Sequence, residues 1–357
     1  MLRKARLRVS PFPYALLFAG SLFASSEGMF WRDLPYGSER QFNPFSVITN
    51  EGFDILQMEG HGNGLDTLFR PSDARRLGSA LAHPLDAIDQ AGWANFAGTE
   101  IVPTSLRPSR AAWIPNWQLH VVGGGFTNAR LEDWYRAQGC ESPFLPALFT
   151  SYTGHLLNET IEIRGMAPGA PTDPVADIYI FDAAGIALFH VPVVRTFFTS
   201  TVQLMDWPLQ PSLGIDGRTL ENAGQYYALK VALPRIDDWK FFYHFGLGNI
   251  GGVSRRVGRA DAISLGVGAY ARRIDAVDQT TNDVEMAPKV GLFWDRENSL
   301  LGSVFWNGQS VNRFSLQLYP GAMPIVPLGG WISLDEDGCP SGGITTVFGF
   351  GAGRSRP

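Results

Sequence analysis

The chain has 357 residues, 45% hydrophobic and 18% charged, with a formal net charge of -5. Charge is scarcer than the roughly 25% usual in soluble globular domains, and no Lys/Arg stripe offers a surface for nucleic acid, which is therefore not an expected partner. The 40 glycines, 24 prolines and 12% aromatics complete an unusual profile.

The chain opens "MLRKARLRVS", with Arg3, Lys4, Arg6 and Arg8 ahead of the apolar run "YALLFAGSLFA" and the small residues of "SSEG". A basic start, a short apolar run and small residues form the secretory pattern, so residues 1–26 are expected to be a signal peptide. The run is too short for a spanning helix, which needs about 20 apolar residues. The next apolar stretch, "DIYIFDAAGIALFHVPVVRTFF", is broken by Asp182, His190, Pro192 and Arg195. Cys140 and Cys339 make no metal pattern; in an exported protein they can form one disulfide, and two free thiols are the equal alternative.

Residues 27–220 read as a helical or irregular block. "SDARRLGSALAHPLDAIDQAGWANFAG" has a Ser72 or Asp73 cap and helical spacing, "FTNARLEDWYRAQG" stops on Gly139, and "PALFTSYTGHLLNETIEIRG" runs from Pro146 to Gly165. After the hinge "GMAPGAPTDP" comes "DPVADIYIFDAAGIALFHVPVVRTFFTSTVQLMDW". These helices are apolar nearly all round yet rich in Gly, Ala, Ser and Thr, which predicts backbone packed close to backbone.

Residues 221–357 change period. Candidate strands are "QYYALKVALP", "DWKFFYHFGLG", "DAISLGVGAYARR", "APKVGLFWDRE", "SLLGSVFWNGQ", "NRFSLQLYPG", "GGWISLDEDG" and "ITTVFGFGAG", joined by polar turns. In "DAISLGVGAYARR", Ile263, Leu265, Val267 and Ala269 alternate with Ser264, Gly266, Gly268 and Tyr270, as in a strand with two unlike faces. Strands of this length, with aromatics such as Trp239, Trp294, Trp306, Tyr319 and Trp331 crowding their ends, fit a transmembrane β-barrel. Lipid cannot satisfy a free backbone N–H, so only helices or closed sheets cross it.

The expected fold class is therefore α+β: a C-terminal antiparallel transmembrane β-barrel of about eight strands, with the helical block packed in or against it. Ten or twelve strands follow if "FSVITNEGFDILQM" and "WQLHVVGGGF" are also extended. A soluble antiparallel barrel or sandwich shows the same alternation and is the competing architecture.

"NP" at Asn43–Pro44, "HVVGGGFTNAR" at His120–Arg130, "HLLNETIE" at His155–Glu162 and "ADIYIFDAAGIALF" at Ala176–Phe189 resemble a bacterial outer-membrane family known only as a domain of unknown function. Its members pair a helical block with barrel strands. The resemblance covers about a third of the chain and implies location and architecture, with no activity to carry over.

Candidate chemistry is sparse. "GHGNG" places His61 beside Gly62, where barrel lipid hydrolases carry a serine; a histidine without an adjacent nucleophile has nothing to activate, and nothing ties Ser264 to it. His155 and Glu159 share a helical face with Asn158 and Glu162 nearby. A metal site needs three or four ligands, and His120, Asp177, Asp182 and His190 stand at no telling spacing. The pair is expected to hydrogen-bond to each other or to barrel arginines, with no metal and no cofactor. Asp177 and Asp182, on an apolar helix, are expected to anchor helix to barrel through Arg195, or through Lys230 and Arg235, because a buried carboxylate needs a partner. "GGG" at Gly123–Gly125 lacks nucleotide-binding spacing.

The leading functional expectation is an exported outer-membrane β-barrel with a helical plug and a structural or transport role. Its expected partners are membrane lipid and a small lipidic molecule. The alternatives are an outer-membrane lipid-modifying enzyme using His61 or His155/Glu159, and a soluble periplasmic binding protein with a β-barrel.

Overall fold

A computed structural model describes residues 28–107, 110–166, 171–276, 282–308, 312–323 and 326–354. The expected signal peptide lies outside the described residues. The chain is α+β: helices fill its first half, and a 13-stranded sheet the second.

The first helices are α1 (Gly37–Gln41) and α2 (Pro44–Gly52). Asn43 caps α2 by accepting from Phe45 and Ser46 N–H, while Ser46 Oγ accepts from Asn43 N–H, and Pro44 presets the first turn. A 3₁₀ turn, Asp54–Gln57, follows. Stretch 45–58 is thus helical, a correction to the extended alternative.

The run expected as one helix is broken into α4 (Pro71–Ala82), α5 (Pro84–Ala91) and α6 (Trp93–Phe96), preceded by the single turn α3 (Leu65–Leu68). Pro84 has no N–H to continue α4, and Gly92 takes a φ of 86° between the last two. After the short α7 (Trp113–Pro115), residues Asn116–Gly124 form a π-helix leading into α8 (Gly125–Ala137). "WQLHVVGGGF" is therefore helical too. Helix α9 (Phe144–Glu162) is the longest. It is followed by α10 (Asp173–Ala176), a π segment Asp177–Phe181, and α11 (Asp182–Phe189). Pro192 starts α12 (Pro192–Thr196) after an 81° bend. Among the described residues no single helix is long and apolar enough to cross a membrane.

The strands are β1 (Met205–Asp206), β2 (Ser212–Gly214), β3 (Leu220–Glu221), β4 (Tyr227–Ala232), β5 (Trp239–Phe245), β6 (Gly248–Arg256), β7 (Asp261–Ala276), β8 (Asn282–Arg296), β9 (Ser299–Asn307), β10 (Phe314–Leu318), β11 (Gly329–Leu334), β12 (Pro340–Thr345) and β13 (Gly351–Arg354). Their order is β1-β4-β5-β6-β7-β8-β9-β10-β11-β12-β13-β2-β3. Every neighbouring pair is antiparallel except β13 with β2. Each expected strand segment carries a strand, and the last carries two, split by a turn at Gly349 with φ 74°. Strands start at Met205, ahead of the expected changeover at 221. Among the described residues no ladder joins the end strands β1 and β3, so the sheet is not closed by strand pairing. The stretch carrying β1 and β2 nonetheless touches both flanks. Trp207 N–H donates to Tyr226 O ahead of β4, and Ile215 N–H to Gly353 O in β13, each at 2.8 Å.

The two sheet faces differ. Phe242, His244, Phe293 and Phe305 are buried on the inner face, the first three in tilted ring contact with Trp207 from the β1–β2 connection and Phe305 against Phe293. Lys230 Nζ reaches Asp295 Oδ2 at 2.5 Å on the same face. Each fully buried aromatic contributes on the order of 2–3 kcal/mol by leaving water. On the outer face, Phe241, Val253, Leu265, Leu292, Val304, Leu316 and Ile332 are directly opposed from strand to strand across β5 to β11, and all are exposed. Between them along the strands sit buried Ser254, Ser264, Ser303, Gln317 and Ser333.

The helical block packs against the outer face at β4 and β5. Tyr227, Leu229, Tyr243 and Phe245 meet Phe126, Ala129 and Phe189 there, while Ala228 and Phe242 point inward. The block thus packs against the sheet, one of the two expected placements, while its segment Leu56–Asn63 joins strand side chains in lining the cavity on the inner side. Close approach is built on glycine: a Cβ on Gly123 would stand 2.4 Å from the Tyr227 ring, and one on Gly185 2.6 Å from Val121 O. Arg130 locks block to sheet, pairing with Asp206 of β1 and with Glu39 at 2.7 Å, its guanidinium 3.8 Å above the Phe42 ring.

Candidate functional site

Chemistry-bearing side chains gather where α9 meets the two π segments. One helical turn separates His155 and Glu159, so both lie on the same face of α9. His120 comes from the π-helix Asn116–Gly124 and Asp177 opens the π segment Asp177–Phe181; Glu100 lies in a third, Ala97–Ile101. A π turn adds a residue to the helical circuit and re-aims the side chains around it, which is why such turns recur at functional sites.

Asp182 sits between two imidazoles. His120 Nδ1 lies 2.8 Å from its Oδ1 and His155 Nδ1 2.7 Å from its Oδ2. The other nitrogens face more carboxylates: His120 Nε2 is 3.4 Å from Asp177 Oδ2, and His155 Nε2 is 3.9 Å from Glu51 Oε2. Two donor sets, His120/His155/Asp182 and His120/Glu159/Asp177, each have ligand atoms within 4.8 Å of one another. Glu159 Oε2 and Asp177 Oδ1 are buried with no hydrogen-bond partner among the described residues.

Burial would raise the Asp182 carboxyl, but His155 and His120 together hold it at about 2. Burial would lower His155; the charge and hydrogen bond of Asp182, with Glu51, lift it to about 9. The remaining acids lack such cations. Burial first, then Glu162 and Asp173, push Glu159 well above the ordinary carboxyl range, and burial with Asp173 and Glu159 does the same to Asp177. Burial and Asp173 raise Glu162 to about 8. The centre thus gathers more carboxyl groups than its two histidines pair with.

A second feature is a cavity of about 470 Å³ on the inner side of the sheet, lined in part by Tyr226, Tyr270, Lys289, Asn307 and His61. Lys289 Nζ is 3.0 Å from Tyr226 Oη and 4.6 Å from the Phe305 ring centroid.

The expected sites are partly regrouped. His155 bonds to Asp182 rather than to Glu159 or an arginine, and Glu159 joins His120 and Asp177 instead. Arg195 binds Asp133 at 2.9 Å, Lys230 takes Asp295, and Arg235 is exposed, so none of them anchors Asp177 or Asp182. His61 lies against Gly165 near the cavity, while Ser264 is buried in β7 between Ser254 and Phe293, and no hydrogen bond joins the two among the described residues. Cys140 and Cys339 are free thiols, one just past α8 and the other in the β11–β12 turn. The roles of Arg130, Glu51 and Lys289 were missed. Arg130 shares its helix with Glu132, Asp133 and Arg136, so charge alone did not single it out.

Fold and site together define an α+β protein whose sheet carries a helical block with a buried histidine–carboxylate centre. Comparison with protein families, curated proteins and solved structures gave no match.

Proposed function

We propose that the chain is an outer-membrane β-barrel protein whose wall seats the helical block and whose inner cavity holds a small molecule. The observation that carries this reading is the outer belt from Phe241 to Ile332, apolar, exposed and in register across neighbouring strands. Polar Lys289, His244, Ser264 and Gln317 lie inside. The inner face buries an aromatic core around these polar groups, and the outer face is apolar as well, which suits lipid better than water. A contiguous apolar surface of this extent is also costly in water.

Closure into a barrel is supported by the stretch 205–215, hydrogen-bonded to the β4 flank at one end and to β13 at the other. A spanning sheet needs its edge groups paired in this way. The aromatic groups Tyr226, Tyr270, Phe305 and Trp331 that line the cavity favour holding a molecule over passing a stream of ions.

Carbonate-washed membranes and paired cysteine variants test the reading. The protein should stay with the membrane, Leu265→Cys should react only with a bilayer-confined maleimide, and Ser264→Cys with neither that reagent nor an aqueous one. Recovery as a detergent-free soluble monomer, or aqueous labelling of Leu265→Cys in sealed membranes, would overturn it.

A further inference from the structure

We propose that His120, Glu159 and Asp177 hold a divalent first-row transition-metal ion within the helical block. Their donor atoms come from the two π segments and α9 and converge within 4.8 Å of one another. Donors about 2.1 Å from a shared metal stand roughly 3–4 Å apart, so small side-chain movements complete the site.

The arrangement of the neighbours separates this donor set from the overlapping one. Asp182 accepts from Nδ1 of both His120 and His155, and both of its oxygens are occupied. The His120/His155/Asp182 set is therefore a hydrogen-bonded chain already satisfied. Fixing the His120 proton on Nδ1 leaves Nε2 as a lone pair facing Asp177, the carboxylate–histidine–metal arrangement that orients ligating imidazoles. On that side Glu159 Oε2 and Asp177 Oδ1 have no partner, although each residue is only 2% exposed. Buried carboxylate oxygens need a proton donor or a cation, and a dication satisfies both at once.

One imidazole with two carboxylates suits Zn²⁺, Mn²⁺ or Fe²⁺ better than Ca²⁺ or Mg²⁺, which prefer all-oxygen shells. The ion would cross-link α9 to the two π segments and so tie the block together. This inference is independent of where the barrel resides.

Full-length protein, purified in detergent and stripped with a chelator, would be titrated with Zn²⁺ and with Mn²⁺ and its metal content measured after dialysis. One ion per chain and a higher melting temperature on loading are expected. Glu159→Gln and Asp177→Asn should each weaken binding by about 100-fold or more, and Asp182→Asn by about 10- to 100-fold. Glu132→Gln, whose partner is His190, should bind as the wild type does. Folded wild-type protein that retains neither ion overturns the proposal, as does unchanged affinity in both Glu159→Gln and Asp177→Asn.

Discussion

Arg130 on α8 and Asp206 on β1 form an ion pair that is closed to solvent, the first 0% and the second 5% exposed. Glu39 takes the other guanidinium nitrogen, and Gln225 Nε2 donates to the second Asp206 oxygen at 2.6 Å. This one cation therefore ties α1, α8 and the start of the sheet together, the role expected of Asp182 and Arg195.

Arg130→Ala should accordingly be among the most damaging single changes. It strands Asp206 without its cation and leaves Glu39 only Arg32, 3.3 Å away, and breaking a buried pair costs about 3–5 kcal/mol. Urea unfolding in detergent should show that loss, whereas Arg195→Ala, at a half-buried partner of Asp133, should cost clearly less. Equal losses would remove Arg130 from the centre of the docking.

Gly185→Ala tests the close crossing of α11 on the π-helix. The new methyl would meet the carbonyls of Val121 and His120 at 2.6 and 2.7 Å, and backbone yields poorly. Overpacking of this kind costs about 1–3 kcal/mol. Gly78→Ala, with open space around it, should be neutral or slightly stabilising because helix propensity favours alanine. Melting temperatures of the two variants should move in opposite directions or differ by several degrees.

Asp54 gives the pH dependence. Burial raises its carboxyl to about 7, against hydrogen bonds from Gln225 N–H and Gln57 and the charge of Lys289, which lower it. The folded state thus holds a proton that the unfolded chain releases near its ordinary value of 3.8. The contribution of this group to stability is greatest below about 4 and declines as pH rises toward 7, since the folded form binds more protons over that window. Asp54→Asn should flatten the decline, leaving the variant on the order of 2–4 kcal/mol better off at pH 8 relative to pH 4 than the wild type. Parallel stability–pH curves for the two proteins would refute the assignment.

Alternation made the strands legible, since side chains on a pleated sheet must repeat every second residue. The β7 stretch shows it: Leu265 and Val267 are exposed and Ser264 and Gly266 buried, as the pattern predicted. β6 was not legible because Gly248, Gly251 and Gly252 interrupt the apolar repeat. The helix breaks at Pro84 and Gly92 could be read locally, but the π segments could not, because an extra residue per turn leaves no fixed mark in composition. That hid the site. His155 and Glu159 were visible through their spacing, whereas bringing His120 and Asp177 to them depends on a crossing set by Gly125 and Gly185. Pairing partners such as Asp182 with two histidines are long-range facts, and charge alone pointed to arginines instead.

β2 is synthesised early, yet its Ser212 receives the Trp331 indole N–H from 119 residues later, and its strand partner β13 comes later still. The β13–β2 ladder therefore forms only after β13 has been made. Until β13 is made, β2 is paired on one side only, with β3, and a chain truncated before Gly351 would leave its other edge open for other polypeptides to pair with. Such long-range pairing slows folding.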